Sequence, residues 1–590
     1  MLFLLITLLC YAAAAAPQSS HCRCRPHDDC WPSEQKWSKL NQTVQGNLVA
    51  VRPAASVCHG SNYDSNACNA TTRLWTDSVW RSAQPGAVQN QMWEAWPEHH
   101  ESCYLESPRN SKCGQGRISV YSVKVQTTSH IQQAVRFARA NNIRLAIKNT
   151  GHDFLGRSTA PESLQILTHE MKNIKVVDNF TPKGAPHGKS EGHAVTMAAG
   201  VQLPELYLAV AEHNRTVVGG SSHTVGAAGG YIQGGGHSPF GAWNGLGSDN
   251  ALEFEIVTAE GSVVVANSYQ NSDLFWALRG GGGGTFGVVT SVTVRTHPEA
   301  PVIAYNVNIT TSSGNPRFWD AFSAFHAALP AINDAGGSGY YFGVPILPFG
   351  QNTTVSAITS LLLFPQKTDV NEIIKLYEPL TRKLGQINGV KVEAAPIPLP
   401  SVNSTIFEVL LSGSDADSTG GVSSLLASRL YSKDLMMSED GPERLAKAWK
   451  SISWSPYSTF IGHVVGGPAV AANKNIHSAV NPAWRKTVSH MLFSRSWEAN
   501  ATLTQQKAII KNMTEVEIPI LRSVEGEDQM GAYLNEANPY EPGFQKSFWG
   551  TNYPRLYKIK QKWDPKGLFI SRKGVGSEDW DDAGMCKLKI

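Results

Sequence analysis

IKNTGHDFLGRS, residues 147–158, places one histidine in a polar turn directly after a strand-like run. Residues 119–125 alternate like a strand, and a helical pattern opened by Thr128 follows them. A second strand pattern, residues 144–148, then leads into the turn. This strand–helix–strand order predicts that His152 lies at a strand end, where α/β layers commonly bind ligands.

The glycine-dense region at residues 219–287 supplies the second half of the pattern. Glycine at this density inside strand-like sequence favours backbone packed against a flat or anionic ligand. Gly282, Gly284 and Gly287 satisfy G-x-G-x-x-G, but that fingerprint must follow a strand and open a helix. Here a short helix pattern at 272–276 precedes the glycines and a strand pattern follows them, which excludes a Rossmann domain.

Several ordered motifs together resemble one flavoprotein superfamily. NTGHD, TVGAAGG, GGGHS, GLGSDN and DLFWALRGGGGGTFGVVTSVTV are similar to the FAD-binding domain of the vanillyl-alcohol-oxidase and berberine-bridge-enzyme superfamily. YLNEANPYEPGFQKSFWGTNYPRLYKIKQKWDPKGLF resembles the C-terminal segment that completes that domain. CRCRPHDDCWPS near the start and GSEDW near the end look most like fungal secreted oxidoreductases of the isoamyl-alcohol-oxidase type.

The resemblance implies an α+β fold. A two-part PCMH-type FAD-binding domain is completed by the C-terminal segment, and an α+β substrate domain, an antiparallel sheet covered by helices, is inserted into it. Helical patterns at 316–329 and 371–384 and strand patterns at 340–345 and 354–364 fit the inserted domain. The predicted boundaries are a signal peptide at 1–16, a Cys-rich cap at 17–116, the FAD-binding domain at 117–298, the substrate domain at 299–530 and the completing segment at 531–590.

The start of the chain and its sequons favour the secretory pathway. Residues 1–16 form an apolar run ending in alanines, typical of a signal peptide and too short to span a bilayer with ease. Together with nine N-x-Ser/Thr sequons, this run predicts a secreted, N-glycosylated protein with no membrane span after signal removal. The sequons open at Asn41, Asn69, Asn179, Asn214, Asn308, Asn352, Asn403, Asn500 and Asn512.

Cysteine usage agrees with an oxidising compartment. Eight cysteines remain once Cys10 is removed with the signal peptide, and an even number favours disulfides. Seven of them lie between Cys22 and Cys113, so pairing within that region leaves one over, which Cys586 could take to tie the two ends together. No two C-x-x-C pairs stand at zinc-ribbon spacing, and the sequence predicts no metal site.

Composition is that of a large enzyme without a special electrostatic partner. The 590 residues are 42% apolar and 17% charged, with a formal charge of +3. This balance argues against nucleic acid as a ligand. We expect a monomer that binds a small-molecule substrate and molecular oxygen.

The resemblance assigns a cofactor, FAD, and its contacts. His152 occupies the place of the histidine that carries FAD covalently through the flavin 8α-methyl carbon; a structural histidine is the alternative. Many relatives have a second link from a cysteine before the T-V-G run, and because that position is Ser222 here, we expect a single covalent bond. His237 in GGGHS either faces the flavin or packs beside the glycines. The other predicted FAD contacts are Asn149, Thr150, Gly151, Asp153, Thr224, Gly226, Gly230, Gly236, Gly247, Asn250, Gly287, Val288 and Asn552.

Alcohol oxidation by a flavin also needs a base that removes the hydroxyl proton. The family often places a YxNY motif at this site, whereas this chain reads Tyr533-Leu534-Asn535-Glu536. Tyr533 is the first candidate for the base and Glu536 the second. The alternative for either residue is a satisfied polar group that holds the loop.

The resemblance and these residues predict a secreted FAD-dependent oxidase that converts a small or medium organic alcohol to a carbonyl and gives hydrogen peroxide. Within the family, the alternatives are oxidation or oxidative cyclisation of a secondary metabolite and oxidation of a carbohydrate. The alternative from another class is a secreted glycoprotein that keeps the fold but only binds. The intact NTGHD motif argues against that alternative.

Overall fold

A computed structural model describes residues 21–349, 353–412, 420–526 and 529–588. The predicted signal peptide at 1–16 and the sequon at Asn352 lie outside these ranges. The fold is mixed α+β, which confirms the predicted class. Among the helices of the described ranges, none is long and apolar enough to cross a membrane.

The first sheet carries the strand that leads into the 147–158 turn. Its four strands lie in the spatial order Leu48–Ala50, Tyr121–Lys124, Leu164–Leu167 and Leu145–Lys148. The last three are parallel, and Leu48–Ala50 pairs antiparallel with its neighbour. The predicted strand–helix–strand unit is therefore present.

The helix of this unit is Thr128–Ala140, and its N-cap is Thr127 rather than Thr128. The Thr127 hydroxyl accepts a hydrogen bond from the backbone N–H of His130, which satisfies one of the donors exposed at the helix start. The helix buries a stripe at helical spacing against the sheet. That stripe is Ile131, Ala134, Val135 and Ala138.

The second sheet is antiparallel and brackets the glycine-dense region. Its strands lie in the order Ile174–Val177, Ala194–Ala198, Val288–Arg295, Ala251–Val257 and Val263–Asn267. Helices Leu203–Ala211 and Ser272–Leu278 accompany it, and Arg215–Thr216 pairs with His297–Pro298 beside it. Because a helix precedes the GGGGG run and a strand follows it, the order is opposite to that of a dinucleotide fingerprint.

The inserted region forms a seven-stranded antiparallel sheet, which we call the large sheet. Its spatial order is Lys391–Leu399, Val302–Ser312, Thr353–Pro365, Ser338–Phe349, Phe460–Val464, Thr487–Trp497 and Ser423–Ser432. Helices Arg317–Asp334, Val370–Gly385 and Gly441–Lys450 pack together over an aromatic-rich core that they share with the sheet. This is the helix-covered antiparallel sheet that the sequence predicted.

One predicted helix end is wrong. The helix expected to stop at Leu329 continues through Pro330 to Asp334. Ile332 and Asn333 are fully buried, and the Asn333 amide donates to the carbonyl of Gly337, 2.9 Å away. Packing and this hydrogen bond offset the backbone bond that an internal proline removes.

Shorter helices complete the described chain. They connect the sheets and build the N-terminal and C-terminal parts. They are Glu34–Thr43, Ser65–Arg73, Ser78–Ala83, Gly241–Asn244, Val402–Ser404, Lys433–Met437, Pro468–Ala472, Leu503–Asn512, Ile518–Arg522, Phe544–Trp549 and Tyr553–Trp563.

Four disulfides staple the chain, and one of them joins its two ends. Cys22 pairs with Cys586, across 564 residues; the cysteine count had indicated that Cys586 could join the N-terminal region but not which cysteine it would pair with. The other three close short loops in the N-terminal region: Cys24–Cys30, Cys58–Cys68 and Cys103–Cys113. The C-terminal segment also returns to the glycine-dense region, where the Trp549 indole donates to the carbonyl of Gly280 at 2.9 Å.

Replacing Cys22 and Cys586 with serine should destabilise the protein more than replacing Cys58 and Cys68. The first disulfide spans 564 residues and the second spans 10. A disulfide that closes a longer loop removes more unfolded-state entropy, and losing a native one commonly costs about 2 to 5 kcal/mol. The measurement is the apparent melting temperature at one scan rate. Equal shifts for the two pairs would contradict this loop-length argument.

Candidate active site

A cavity of about 360 Å³ lies where the 147–158 turn, the glycine-dense region, the large sheet and the C-terminal segment meet. Large-sheet residues such as Tyr340 and His463 form one wall. The predicted site residues that line it are Asn149, Thr150, Gly151, His152, Asp153, Ser222, Gly226, Gly230, His237, Gly287, Tyr533 and Glu536.

The turn that carries His152 is shaped by glycine and by a carboxylate. Gly151 has φ +89°, and a Cβ there would lie 3.0 Å from the buried Lys148 side chain, so both conformation and space require glycine. The Asp153 carboxylate accepts the backbone N–H of Leu155 at 3.1 Å and pairs with Arg157 at 2.9 Å. Asp153 therefore organises the turn. This leaves the His152 ring at the cavity wall.

His152 faces the glycine-dense region across the cavity edge. Its Nε2 lies 2.6 Å from the Thr224 hydroxyl oxygen. Thr224 does not itself line the cavity, but it contacts two residues that do, His152 and Ser222. Ser222 does line it, and the Ser222 hydroxyl oxygen accepts the backbone N–H of Val225 at 3.3 Å.

A hydrogen-bonded chain joins the His152 turn to the C-terminal segment. The Arg157 guanidinium donates to Asn535 Oδ1 at 3.1 Å. The Asn535 amide in turn donates to the Tyr533 hydroxyl and to the carbonyl of Gly230, each at 2.8 Å. Arg157 thus fixes the position of the segment that carries Tyr533 and Glu536, a role that the sequence did not reveal.

The glycine-dense wall fits a flat ligand that carries polar edges. A Cβ at Gly226 would lie 2.4 Å from the Asn149 amide, and a Cβ at Gly283 would lie 3.0 Å from the Cα of Gly230. Asn149 Oδ1 and Gln233 Oε1 are buried without a hydrogen-bond partner within the described chain, although both side chains line the cavity. Backbone this tightly packed, with two free acceptors, suits the ring of FAD.

The other predicted contacts lie behind the cavity wall. Gly236 and Gly247 pack on the Tyr231 ring and are joined by an N–H···O bond of 2.7 Å. The Asn250 amide donates to the carbonyl of Leu246 at 2.9 Å, and the Asn552 amide donates to that of Val480 at 2.8 Å. Val288 is a buried strand residue of an adjoining apolar core. These residues hold the wall in place.

Three histidines surround Glu536 at the large-sheet side of the cavity. His237 Nε2 lies 3.1 Å from Glu536 Oε1. His463 Nδ1 and His490 Nδ1 lie 3.6 and 3.5 Å from the other oxygen, Oε2, and 3.2 Å from each other. We call His237, His463, His490 and Glu536 the histidine–glutamate cluster. His237 lines the cavity, and whether it faces the flavin stays a prediction.

The cluster keeps Glu536 ionised and two of its imidazoles neutral. Burial alone would raise the pKa of Glu536, but its interaction and hydrogen bond with His237 hold that pKa below the ordinary value. Burial, and then the proximity of His237, lowers the pKa of both His463 and His490 well below the usual range. The site thus contains a carboxylate beside neutral imidazoles.

Tyr533 is a buried phenol with its own hydrogen bonds. Its side chain is 3% exposed, and its hydroxyl oxygen accepts from the Asn535 amide. Burial, followed by the negative charge of Glu536, raises the pKa of Tyr533 above its already high ordinary value. The phenol therefore stays protonated at neutral pH, whereas Glu536 does not.

No local sequence motif marks His463 and His490, so the sequence did not predict them as site residues. They lie on strands Phe460–Val464 and Thr487–Trp497, directly opposite each other in the antiparallel ladder. Cross-strand partners stand within side-chain reach whatever their separation along the chain. The one feature of the sequence that could have marked these two histidines is a polar residue inside an otherwise apolar strand.

Comparisons with known proteins agree with the geometry. A family model described as an FAD binding domain matches residues 121–267, and one described as berberine and berberine like matches residues 532–576. An uncharacterised FAD-linked oxidoreductase of Arthroderma benhamiae is 50% identical over 98% of this chain and 97% of its own length. The FAD-linked oxidoreductase malF of Malbranchea aurantiaca is 41% identical over 96% and 94%.

A solved structure has the same fold over nearly the whole chain. The VAO-type flavoprotein MtVAO615 of Myceliophthora thermophila C1 superposes with a TM-score of 0.83 and 32% identity, covering 96% of this chain and 100% of that one. The His152 turn, the glycine-dense wall and the returning C-terminal segment lie within these matched regions. This chain belongs to the vanillyl-alcohol-oxidase and berberine-bridge-enzyme-like superfamily of FAD-linked oxidoreductases.

Proposed function

We propose that this FAD-linked oxidoreductase is an oxidase that converts a small or medium organic alcohol to a carbonyl and gives hydrogen peroxide. One observation carries the proposal: a single cavity joins His152, the proposed attachment residue, to Glu536 of the histidine–glutamate cluster, whose pKa is held below the ordinary value. When bound, FAD supplies the hydride acceptor and passes the electrons to oxygen. The chain itself must orient the alcohol and remove its hydroxyl proton.

Glu536 is our candidate to take that proton. A general base must be deprotonated and must reach the substrate, and Glu536 is ionised and lines the cavity. The sequence had put Tyr533 first, but a protonated phenol donates a hydrogen bond before it accepts a proton. Tyr533 then orients the substrate oxygen, and Glu536 removes the proton.

The FAD is proposed to be held through one covalent bond to His152. Along the ring, the proposed contacts are Asn149, the backbone around Gly226 and Gly230, and Gly287. Support comes from the cavity, which these residues line together, and from the unpartnered acceptor of Asn149. A serine at 222 cannot form a thioether, so no second bond is expected.

A gain-of-bond variant tests this single attachment. Ser222 lines the cavity, and cysteine differs little from serine in volume, so Ser222→Cys should fit without repacking. A cysteine thiolate is the nucleophile required for a second bond to the ring. In a His152→Ala and Ser222→Cys double variant, we expect flavin to stay on the denatured chain through the new cysteine. Flavin that binds the folded double variant but leaves on unfolding would contradict this position for Ser222.

Secretion and glycosylation are part of the proposal. Four disulfides support passage through an oxidising compartment. Several sequon asparagines are exposed to solvent, which a glycan requires: Asn69, Asn179, Asn214, Asn500 and Asn512.

The test is a panel of alcohols followed by two separate readouts. Under anaerobic conditions a true substrate should bleach the flavin absorbance, and in air the same substrate should give one hydrogen peroxide per turnover. Bleaching without peroxide would contradict oxygen as the acceptor. If no alcohol bleaches the flavin, alcohol oxidation is wrong, and the same panel extended to carbohydrates examines the alternative substrate class.

A further inference from the structure

We propose that the histidine–glutamate cluster, His237, His463, His490 and Glu536, binds one divalent transition metal ion, with zinc as the best match. No cysteine takes part, and the residues come from three separate regions of the chain. The ligand atoms are His237 Nε2, His463 Nδ1, His490 Nδ1 and a carboxylate oxygen of Glu536, all within 4.8 Å of one another.

The spacing of these atoms is that of a tetrahedral site. Zinc binds histidine nitrogen and carboxylate oxygen at about 2.0 to 2.2 Å, which sets neighbouring tetrahedral ligands about 3.4 Å apart. His463 Nδ1, His490 Nδ1 and Glu536 Oε2 are separated by 3.2, 3.5 and 3.6 Å, and His237 Nε2 lies 3.1 Å from the other carboxylate oxygen, Oε1. These distances lie on both sides of the tetrahedral value. Three imidazoles and a carboxylate are also a ligand set that suits zinc.

Hydrogen bonding alone accounts poorly for the arrangement. Oε2 of Glu536 lies too far from His463 and His490 for a good hydrogen bond, and it has no partner in the described chain. His463 and His490 turn their Nδ1 atoms toward each other, 3.2 Å apart, as well as toward that oxygen. His463 Nδ1, His490 Nδ1 and Glu536 Oε2 all lie within 3.6 Å of one another, a spacing that ligands around one ion also have.

The cluster is largely buried, and two of its four residues stand on adjacent strands. His490 is fully buried, and the side chains of His237, His463 and Glu536 are 10%, 12% and 22% exposed. The facing residues include Tyr340 and Tyr533, whose rings pack edge-on against His237, so the first neighbours are uncharged phenols. His463 and His490 are fixed by a strand ladder, and such sites hold ligand geometry better than loops do.

The bound ion would join parts of the chain that are distant in sequence. His463 and His490 belong to the large sheet, His237 follows the glycine-dense run and Glu536 belongs to the C-terminal segment. One ion therefore ties the substrate-side sheet to both parts of the flavin-binding region at the cavity wall. An ion that binds only the folded chain also stabilises it.

The experiment counts the metal without using substrate. The untagged, flavin-loaded chain is stripped with a chelator, dialysed, titrated with Zn²⁺ alone and passed through gel filtration, and the retained zinc is measured by plasma mass spectrometry. We expect one ion per chain. Co²⁺ in place of zinc should give tetrahedral absorption bands at wavelengths longer than those of the flavin.

Matched variants decide whether the cluster is the site. Glu536→Gln and His463→Gln should lose the bound zinc, the cobalt bands and the zinc-dependent rise in melting temperature. His187→Gln, which removes an exposed histidine outside the cluster, should keep all three. Flavin absorbance and gel filtration establish that each variant is folded, and the near-isosteric Glu536→Gln serves if His463→Gln does not fold.

Zinc that fails to stay on the wild-type chain, or that stays equally on both cluster variants, would overturn the proposal. The outcome is separate from that of the proposed oxidase activity. Peroxide production is assayed on the metal-stripped chain, and zinc is counted without an alcohol, so either idea can fail while the other stands.

Discussion

Flavin should separate completely from a His152→Ala variant on acid precipitation, whereas the wild-type pellet should stay yellow. His152 is the imidazole that reaches the cavity from the NTGHD turn, with its Nε2 held 2.6 Å from the Thr224 hydroxyl oxygen. Alanine removes the nitrogen that is proposed to attach the ring and leaves the glycine-dense wall unchanged. The folded variant should therefore still bind flavin, without a covalent bond. The measurement is the mass of the denatured chain. It should include the mass of FAD in the wild type and lack it in the variant.

The matched control removes a different histidine from the same cavity. His237 lines the cavity but hydrogen-bonds to Glu536 rather than standing in the NTGHD turn. His237→Ala should keep flavin on the denatured chain. A colourless wild-type pellet whose mass equals that of the bare chain would show that the attachment assignment is wrong, and so would flavin retained by His152→Ala.

Local patterns predicted the elements that position the cofactor. Alternation and helical spacing within about thirty residues predicted the strand Tyr121–Lys124, the helix Thr128–Ala140 and the strand Leu145–Lys148. Such patterns are local because the burial of one face of each element is decided locally. The joining of the two chain ends followed from a count of cysteines, since one of the seven near the start needed a distant partner.

The cluster could not be predicted in this way because its geometry depends on the pairing order of the large sheet. In that sheet, strand neighbours are often far apart in sequence, as when Ser423–Ser432 pairs with Thr487–Trp497. His463 and His490 become partners through such pairing. No local pattern at either position reports the register, so neither histidine could be joined to Glu536 from the sequence alone.

We propose Glu536 ahead of Tyr533 as the base for a related reason. Residue type alone does not decide whether a phenol or a carboxylate is the better base, because that depends on the neighbours of each group. In the folded chain Tyr533 and Glu536 lie close enough for the carboxylate charge to raise the pKa of the phenol, and His237 lowers the pKa of the carboxylate. The two pKa values are pushed apart, which is how an environment separates a proton donor from a proton acceptor.

This separation predicts that Glu536→Gln lowers turnover by a factor of about 10² to 10⁴, the usual contribution of a general base. Glutamine keeps the shape and the contact with His237 but cannot take a proton at neutral pH. Tyr533→Phe, the matched variant, should cause a smaller loss, because it removes a hydrogen-bond donor and leaves the base ionised. Both variants are assayed as metal-stripped, flavin-loaded chains by the rate of anaerobic flavin bleaching. If Tyr533→Phe loses as much as Glu536→Gln or more, the phenol is the base, and the carboxylate serves to position it.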